Sequence, residues 1–223
     1  MIDQLTIGDK ASYDDFGASL AWFNAKPPKK KSIRETIPFF NGSYDFSAIN
    51  GEVYWEDRVI ECIFEMLADT PEELEEKKAA FSSWVMNVME QNIHSPFIPD
   101  YHFVGTYDDM EYEDDEGLDK TTATVTFLAY PYKLALRRYE FDAPWQHTNN
   151  FILLNKSNHP VWANVVIESN YTGDSVKING KRFNTKEGVQ EFTMKLPPGI
   201  IELSADSEHS NNKITIAFTE EVL

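Results

Sequence analysis

Residues 70–132 hold a helix start followed by two alternating segments, and this order limits the fold more than any other feature. Thr70 can cap free backbone amides, Pro71 suits the first helical position, and Glu73 can reach back to the cap. Apolar residues then recur at helical spacing, which predicts one helix over residues 71–91. The residues of this apolar face are Leu74, Phe81, Trp84, Val85, Val88 and Met89. A helix with one apolar face needs a sheet to pack on.

Three segments around this helix alternate between apolar and polar residues. Residues 58–67 precede the helix, whereas residues 101–107 and 122–129 follow it, and alternation at period two predicts antiparallel strands with one buried face. In residues 58–67 the polar face is incomplete, because Ile63 shares it with two glutamates. Ile63 is therefore predicted to lie under a second covered surface or at a contact between subunits, and the sequence leaves both open.

An acidic segment, residues 108–119, lies between the last two strands, and eight of its twelve residues are Asp or Glu. Because like charges repel when packed, this segment is predicted to be a loop or a hairpin tip in water. Its spacing does not match an EF-hand, since Tyr112 would take the first ligand position and Ala123 the last; looser calcium binding stays open. The candidate functional residues of the segment are Asp108, Asp109, Glu111, Glu113, Asp114, Asp115 and Glu116.

The formal net charge of −17 argues against a protein that binds duplex DNA through its phosphates, because that requires a basic face. The single cysteine, Cys62, lies in an alternating strand and is predicted to be a buried apolar residue rather than a nucleophile. Motifs for phosphate binding, a nucleophilic serine or a zinc pair do not occur, and the five histidines lack ligand spacing. We therefore expect no enzyme, no cofactor and no metal site. We also expect neither a signal peptide nor a membrane span.

After residue 132 the chain consists of short strands separated by Gly, Pro, Asn and Asp, at the spacing of a β-sandwich. Asn179 and Gly180 predict a two-residue hairpin turn. The boundary is predicted near residues 134–142, which gives domains 1–136 and 137–223. Residues 143–145 are interpreted as part of a connection. The predicted strands are 151–154, 161–168, 175–178, 191–196, 200–204 and 213–219.

Aromatic residues on such a sandwich can offer their faces to sugar rings, and Trp145 and Tyr171 are the candidate contacts. Trp162 alternates with Val161 and Ala163, so it is predicted to face away from them and to pack against the other domain or a partner. These aromatic residues make a carbohydrate-binding module an alternative function for this half of the chain.

Residues 26–31 contain two prolines and four lysines, which interrupt any strand and predict a solvated loop. Lys29, Lys30 and Lys31 are a candidate contact for an acidic neighbour, including a second copy of this acidic chain. A salt-dependent self-association would distinguish such a contact from a plain connection.

Seven segments of the chain follow one another in a recognisable order. In the first half they are residues 36–47, 53–60, 99–105 and 123–132, with the capped helix and its Trp84 between the second and the third. In the second half they are residues 160–163, 176–180 and 196–199. Their order and spacing resemble the distal tail proteins, the Dit family, of long-tailed, non-contractile bacteriophages. The later segments look like the galectin-like sandwich of that family.

The resemblance implies a mainly β fold, with one α-helix packed on the sheet of an α+β N-terminal domain and a galectin-like β-sandwich at the C-terminus. It implies a structural protein whose N-terminal domain closes into a hexameric ring around a channel that passes DNA. The acidic segment would then line the channel or contact a partner. The implied interface residues are Phe39, Phe40, Ile63, Lys29, Lys30 and Lys31.

The resemblance also implies partners and a location. The partners would be the tail tube protein, a tail-associated hub protein and baseplate or receptor-binding proteins, in the tail tip of a virion assembled in the bacterial cytoplasm. The alternative function is a carbohydrate-binding module that contacts host cell-wall polysaccharide, and this alternative expects Trp145 or Tyr171 on an open surface. An independent enzyme ranks third.

Overall fold

The computed structural model of the chain describes residues 2–39, 41–47, 53–115, 119–145, 149–206 and 212–223. The chain divides into two compact units, residues 1–133 with Leu223 and residues 134–222. Both units consist mostly of antiparallel strands, which confirms the prediction of a mainly β chain. The boundary predicted at 136/137 lies just inside the second unit.

The first unit contains short and long strands and two helices. Their bounds are β1 (Thr6–Ile7), β2 (Lys10–Ala11), α1 (Ser12–Phe16), β3 (Ala18–Ala25), β4 (Arg34–Glu35), β5 (Tyr44–Asp45), β6 (Arg58–Leu67), α2 (Pro71–Met86), β7 (Gln91–His94), β8 (Tyr101–Asp114) and β9 (Lys120–Ala129). Seven of the strands form one antiparallel sheet in the order β2-β1-β7-β8-β9-β6-β3, and β4 pairs with β5 apart from it. At its centre, β6 pairs with β9 along its whole length.

Helix α2 packs on this sheet as its sequence predicts. The Thr70 hydroxyl accepts a hydrogen bond from the Glu73 amide at 3.2 Å, so the cap is formed. Phe81 is fully buried, and its ring centroid lies 5.0 Å from that of Phe64 on β6. Burial of these large apolar side chains is the main term that stabilises the helix on the sheet.

The predicted end of this helix is wrong. The helix stops at Met86 rather than at residue 91, and residues 91–94 form β7. Val88 remains buried beyond the helix, whereas Met89 is exposed and Glu90 has a positive φ of 49°. The chain therefore leaves the helix after Asn87, and the backbone of residues 91–94 pairs with β1 and β8 instead of with a further helical turn.

A second, short helix was not predicted. Residues 12–16 form α1, whereas the sequence analysis expected one helix, over residues 71–91. Gly17, with φ of 69°, ends the helix in the left-handed region. Phe16 stacks on Trp84 of α2 with ring centroids 4.6 Å apart, so tertiary packing holds this short helix in place.

The acidic segment forms the far part of the β8–β9 hairpin, so the loop alternative is wrong for residues 108–114, whereas the acids of residues 108–115 are exposed to water as predicted. Strand β8 continues to Asp114, with a register shift between Tyr107 and Asp109, and it pairs with β9 as far as Thr121. Each acid of the paired segment faces an uncharged residue across the strands, such as Glu111 opposite Thr124. Asp109, Glu111 and Glu113 share one face and Asp114 lies on the other, and all four side chains are exposed, so water rather than packed protein surrounds their charges and weakens the repulsion.

The second unit is a sandwich of two four-stranded sheets. The eight strands of these sheets are β11 (Tyr139–Trp145), β12 (Asn149–Asn155), β13 (Val161–Ser169), β14 (Ser175–Ile178), β15 (Lys181–Asn184), β16 (Gly188–Leu196), β17 (Gly199–Asp206) and β18 (Asn212–Phe218). Outside the two sheets, β10 (Lys133–Ala135), at the division of the chain, pairs with β19 (Glu221–Val222). The sheets have the orders β11-β18-β13-β16 and β12-β17-β14-β15, and they share one apolar core.

Two predictions about turns and connections in this unit have different outcomes. Asn179 and Gly180, with φ of 48° and 80°, join β14 to β15 and confirm the two-residue hairpin. The connection predicted around residues 143–145 is instead the end of β11, which pairs with β18. Pro144 is tolerated there because β11 is an edge strand.

Candidate assembly surfaces

The first unit exposes an acidic sheet face on the side opposite α2. On β8 and β9, Asp109, Glu111 and Glu113 pair with three threonines, and those threonines pair in turn with Glu61, Ile63 and Glu65 on β6. Cross-strand partners share a face, so these side chains lie together. We call this surface the acidic face; its charged residues are Glu61, Glu65, Asp109, Glu111 and Glu113.

Apolar residues interrupt the acidic face at its middle. Ile63, an interface candidate, is half-buried and lies between Thr124 on β9 and Trp22 on β3. The Trp22 side chain is 41% exposed. The sequence analysis missed Trp22, because the register shift between Leu20 and Trp22 breaks simple alternation and turns the indole to this face.

Two lysines partly neutralise the acidic face. Lys26 forms an ion pair with Glu61, and the Lys120 Nζ lies 3.1 Å from the Glu65 carboxylate. Both pairs are partly exposed to solvent, so they contribute little stability. Asp109, Glu111 and Glu113, the acids that β8 adds to this face, have no ion pair to a basic side chain among the described residues, so the face keeps a negative charge.

The far end of the acidic segment is fastened to α2. Tyr112 points to the core side, where its hydroxyl lies 2.8 Å from the Ser82 hydroxyl and 3.1 Å from the Lys78 carbonyl oxygen. The Lys78 Nζ lies 3.1 Å from the Asp114 carboxylate and 2.8 Å from that of Glu75. These contacts restrain the strand against the helix, so the acids on its other side are presented by a fixed backbone.

The same contacts shift two pKa values. The hydrogen bond with Glu75, followed by that with Asp114, raises the pKa of Lys78. The hydrogen bond from Thr121, followed by that from Lys78, lowers the pKa of Asp114. Asp108 and Asp115 are exposed, and Glu116 lies outside the described residues. Of the predicted acids, Asp109, Glu111 and Glu113 therefore share one face, whereas Asp114 is engaged with α2.

The lysine-rich loop is held by backbone pairing. The Lys31 amide donates to the Tyr54 carbonyl at 2.9 Å, and the Glu56 amide donates to the Lys29 carbonyl at 2.8 Å. Lys30 forms an isolated bridge with Trp55 between these two bonds. The side chains of all three lysines are exposed, so the loop presents three positive charges on an ordered backbone.

Phe39 is a strongly exposed aromatic residue. Its relative exposure is 110% and its φ is 68°, in the left-handed region that residues other than glycine rarely adopt. Its predicted companion, Phe40, lies outside the described residues. An aromatic ring exposed to this degree is typical of a residue that another molecule covers.

The prediction of Trp145 as a sugar contact is wrong. Trp145 is fully buried in the sandwich core, because alternation along β11 turns it inward with Ala143. Its Nε1 has no hydrogen-bond partner among the described residues. Tyr171 is 43% exposed and remains a prediction. Trp162 faces outward as predicted, with 64% of its surface exposed.

Residues with reactive side chains do not converge. Cys62 is completely buried, which confirms its predicted place in the core, and desolvation raises the pKa of its thiol. Burial lowers the pKa of His102, and neighbouring His94 lowers it further. His147 and His209 lie outside the described residues. The part of the chain that the structure describes holds no group of three His, Cys, Asp or Glu side chains placed to bind a metal ion.

Neither helix in the described ranges has the length and apolar content that crossing a membrane requires.

Comparison with known proteins gives a match in structure only. No protein-family model matches the sequence, and no curated protein matches it either. Among solved structures, the chain is similar to the SPP1 Dit (gp 19.1) protein, described as a paradigm of the hub adsorption apparatus in phages that infect Gram-positive hosts. The identity is 14%, the TM-score is 0.70, and the match covers 100% of both chains. The chain has the Dit fold.

This finding confirms the resemblance seen in the sequence, at the level of the fold. The chain is also similar to a chain of the phage P2 baseplate, solved in its activated conformation with Ca, with 11% identity and coverage of 97% of this chain and 98% of that one. The TM-score of that match is 0.38, which is too low to support a statement about fold or function.

Proposed function

We propose that this protein is the distal hub of a bacteriophage tail, a structural protein that joins the tail tube to the tail-tip or baseplate proteins. The observation that carries the proposal is the similarity in fold to the SPP1 Dit protein over the full length of both chains. A two-unit fold shared from end to end supports a shared structural role better than a match to one unit would.

The hub would be a hexameric ring formed by the N-terminal domain, residues 1–136, and its channel would pass DNA. The charge distribution supports this proposal, because 26 of the 37 acidic residues lie in residues 1–133. An acidic wall repels phosphates, so DNA would slide past it without binding. The acidic face, with Asp109, Glu111 and Glu113 on a fixed strand, is our candidate for the channel lining.

The contacts between neighbouring copies would use the exposed residues of the same unit. Lys29, Lys30 and Lys31 offer positive charge to an acidic neighbour, and Phe39 offers apolar surface. Ile63 would be a contact if the acidic face meets a partner instead of the channel. A ring of copies repeats one heterologous contact and closes on itself, so one basic and one acidic patch per copy are sufficient. Phe40 belongs to the same proposal.

The remaining parts of the proposal follow from the same role. Residues 137–223 would form the galectin-like domain outside the ring, and the partners would be the tail tube protein, a tail-associated hub protein and baseplate or receptor-binding proteins. The protein would be located in the tail tip of the virion and assembled in the host cytoplasm. The role needs neither catalysis nor a cofactor.

The mass of the purified full-length chain in solution tests the ring. Light scattering at low and at high salt should give a mass near six chains at low salt, with partial dissociation as salt screens the lysine contacts. Lys30→Glu should reduce the assembled fraction, because it places an acid against an acidic neighbour.

Lys186→Glu is the matched control, since it makes the same charge change at an exposed position of the second unit. It should leave the mass unchanged. A monomer at every salt and protein concentration would contradict a ring formed by this chain alone, and equal effects of the two variants would contradict the role of the lysine loop.

A further inference from the structure

The outer face of one sandwich sheet carries an exposed tryptophan. Trp162 lies on β13, a central strand of the sheet β11-β18-β13-β16, and 64% of its surface is exposed. Its neighbours Val161 and Ala163 are buried in the core, so the indole stands on the opposite, outward side. A single exposed indole is ordinary on a protein surface, so the groups around it decide whether it can hold a ligand.

Polar side chains surround this indole. Lys195 pairs with Trp162 across the strands, and its Nζ lies over the indole ring, 5.6 Å from the centroid, as a cation–π contact that a ligand stacked on this face would displace. Asn164 lies two positions along β13, and its Nδ2 donates a 2.8 Å hydrogen bond to the Glu191 carboxylate. The residue paired with Asn164 on β18 is Ala217, whose small side chain leaves open space on the sheet surface next to Asn164.

This combination matches the chemistry of a sugar ring. A pyranose presents a face of C–H bonds, whose partial positive charge is attracted to the negative face of an aromatic ring. Its hydroxyls both donate and accept hydrogen bonds, and an amide, a carboxylate and an ammonium group together satisfy both roles. We propose that this face, centred on Trp162 with Asn164, Glu191 and Lys195, binds a pyranose unit of a polysaccharide. The proposal does not depend on the role as a tail hub.

Other surfaces of this unit are poorer candidates. Trp145 is buried, and Tyr171 lies in the turn after β13, away from these polar residues in the strand register. A groove of about 460 Å³ lies on the outer face of the other sheet, beside Ile152, Lys177 and Glu202, but no tryptophan or tyrosine lines it. A protein partner would favour an apolar surround that excludes water from the indole, whereas the surround here is polar and charged.

Titration of defined oligosaccharides into the full-length chain tests the proposal. The probes are cellohexaose, chitohexaose and mannohexaose, which present pyranose rings of different hydroxyl pattern, and the readouts are heat and tryptophan fluorescence. The wild-type chain should bind at least one of them. Trp162→Ala should weaken that binding about tenfold, which corresponds to about 1.4 kcal/mol, a value within the range of one aromatic contact. Trp162→Phe should retain most of it.

Matched variants keep the test specific. Tyr171→Ala and Ile152→Ala remove other exposed apolar side chains of the same unit, and binding should stay within about twofold of wild type. Asn164→Ala should weaken binding, because a partner of the sugar hydroxyls is lost. Circular dichroism should show every variant folded, since each change lies on the outer surface.

Three results would overturn the proposal. The first is the absence of binding to all three probes at millimolar concentration. The second is binding that Trp162→Ala leaves unchanged or that Tyr171→Ala alone abolishes. The third is a Trp162→Ala chain that binds sugar normally but no longer enters phage particles, which would assign the indole to a protein partner.

Discussion

Replacement of Phe81 by Ala tests the packing of α2 on its sheet. Phe81 is fully buried, and its ring centroid lies 5.0 Å from that of Phe64, 5.7 Å from that of Trp84 and 6.3 Å from that of Phe16. Truncation removes one ring from this aromatic group and leaves a cavity, which for a buried phenylalanine costs about 3–5 kcal/mol. The loss of aromatic edge contacts places the expected value in the upper half of that range.

Urea unfolding followed by tryptophan fluorescence measures this effect, because Trp84 stacks in the same aromatic group. The matched control is Met86→Ala, on the same helix but 56% exposed, which should change the free energy of unfolding by less than about 0.5 kcal/mol. A Phe81→Ala cost below about 1 kcal/mol, or one equal to that of Met86→Ala, would refute the packing described for α2.

Four further predictions concern single sites. Tyr112→Phe should destabilise the chain by about 1 kcal/mol in urea, because Ser82 loses its hydroxyl partner, and an unchanged midpoint would count against the restraint of β8 by α2. Gly180→Val should lower the free energy of unfolding by about 1–2 kcal/mol, and Gly180→Asn should lower it less. Gly180 has a φ of +80° and no atom lies within 4 Å of an added Cβ, so the loss comes from backbone strain alone. Cys62 should react with a thiol reagent only in denaturant, and rapid labelling of the native chain would contradict its burial. The hydrogen bond from Thr215, followed by that from Lys213, lowers the pKa of Asp142. The stability that the Asp142 carboxylate contributes is therefore present above the unfolded pKa and is lost as the pH falls through the lower folded pKa. The difference in urea midpoint between wild type and Asp142→Asn should shrink between about pH 5 and pH 2, and a constant difference would contradict this account.

Local signals in the sequence predicted the parts of the fold that local physics determines. The hydroxyl of Thr70 and the ring of Pro71 start α2 where the sequence places its start. Asn179 and Gly180 adopt the positive φ values that the hairpin needs. Residues 58–67 alternate between core and outer face as predicted, since burial follows the strand period of two.

Tertiary pairing decided the elements that the sequence did not predict. Residues 108–114 look too acidic to pack, yet β9 offers uncharged partners and α2 offers Lys78, so they form a strand. The helix was predicted to run to residue 91, but residues 91–94 pair with β1 and β8 and form β7.

On the candidate surfaces, too, the orientation of some aromatic residues depends on strand pairing that the sequence does not reveal. Trp145 follows a proline that suggested a connection, yet the edge position of β11 accommodates that proline and turns the indole into the core. Trp22 reaches the acidic face only because β3 has a register shift, and that shift depends on pairing with β6. The outward direction of Trp162 was predictable, since simple alternation determines it.

Electron microscopy of phage particles tests the role as a tail hub most directly. A gold-labelled antibody against this chain should be imaged on purified particles produced from the genome that encodes it. We expect label at the distal end of the tail, where the tube meets the tail tip. Label on the head or along the whole tube, or absence of the chain from particles in a lysate that contains it, would contradict the proposed function.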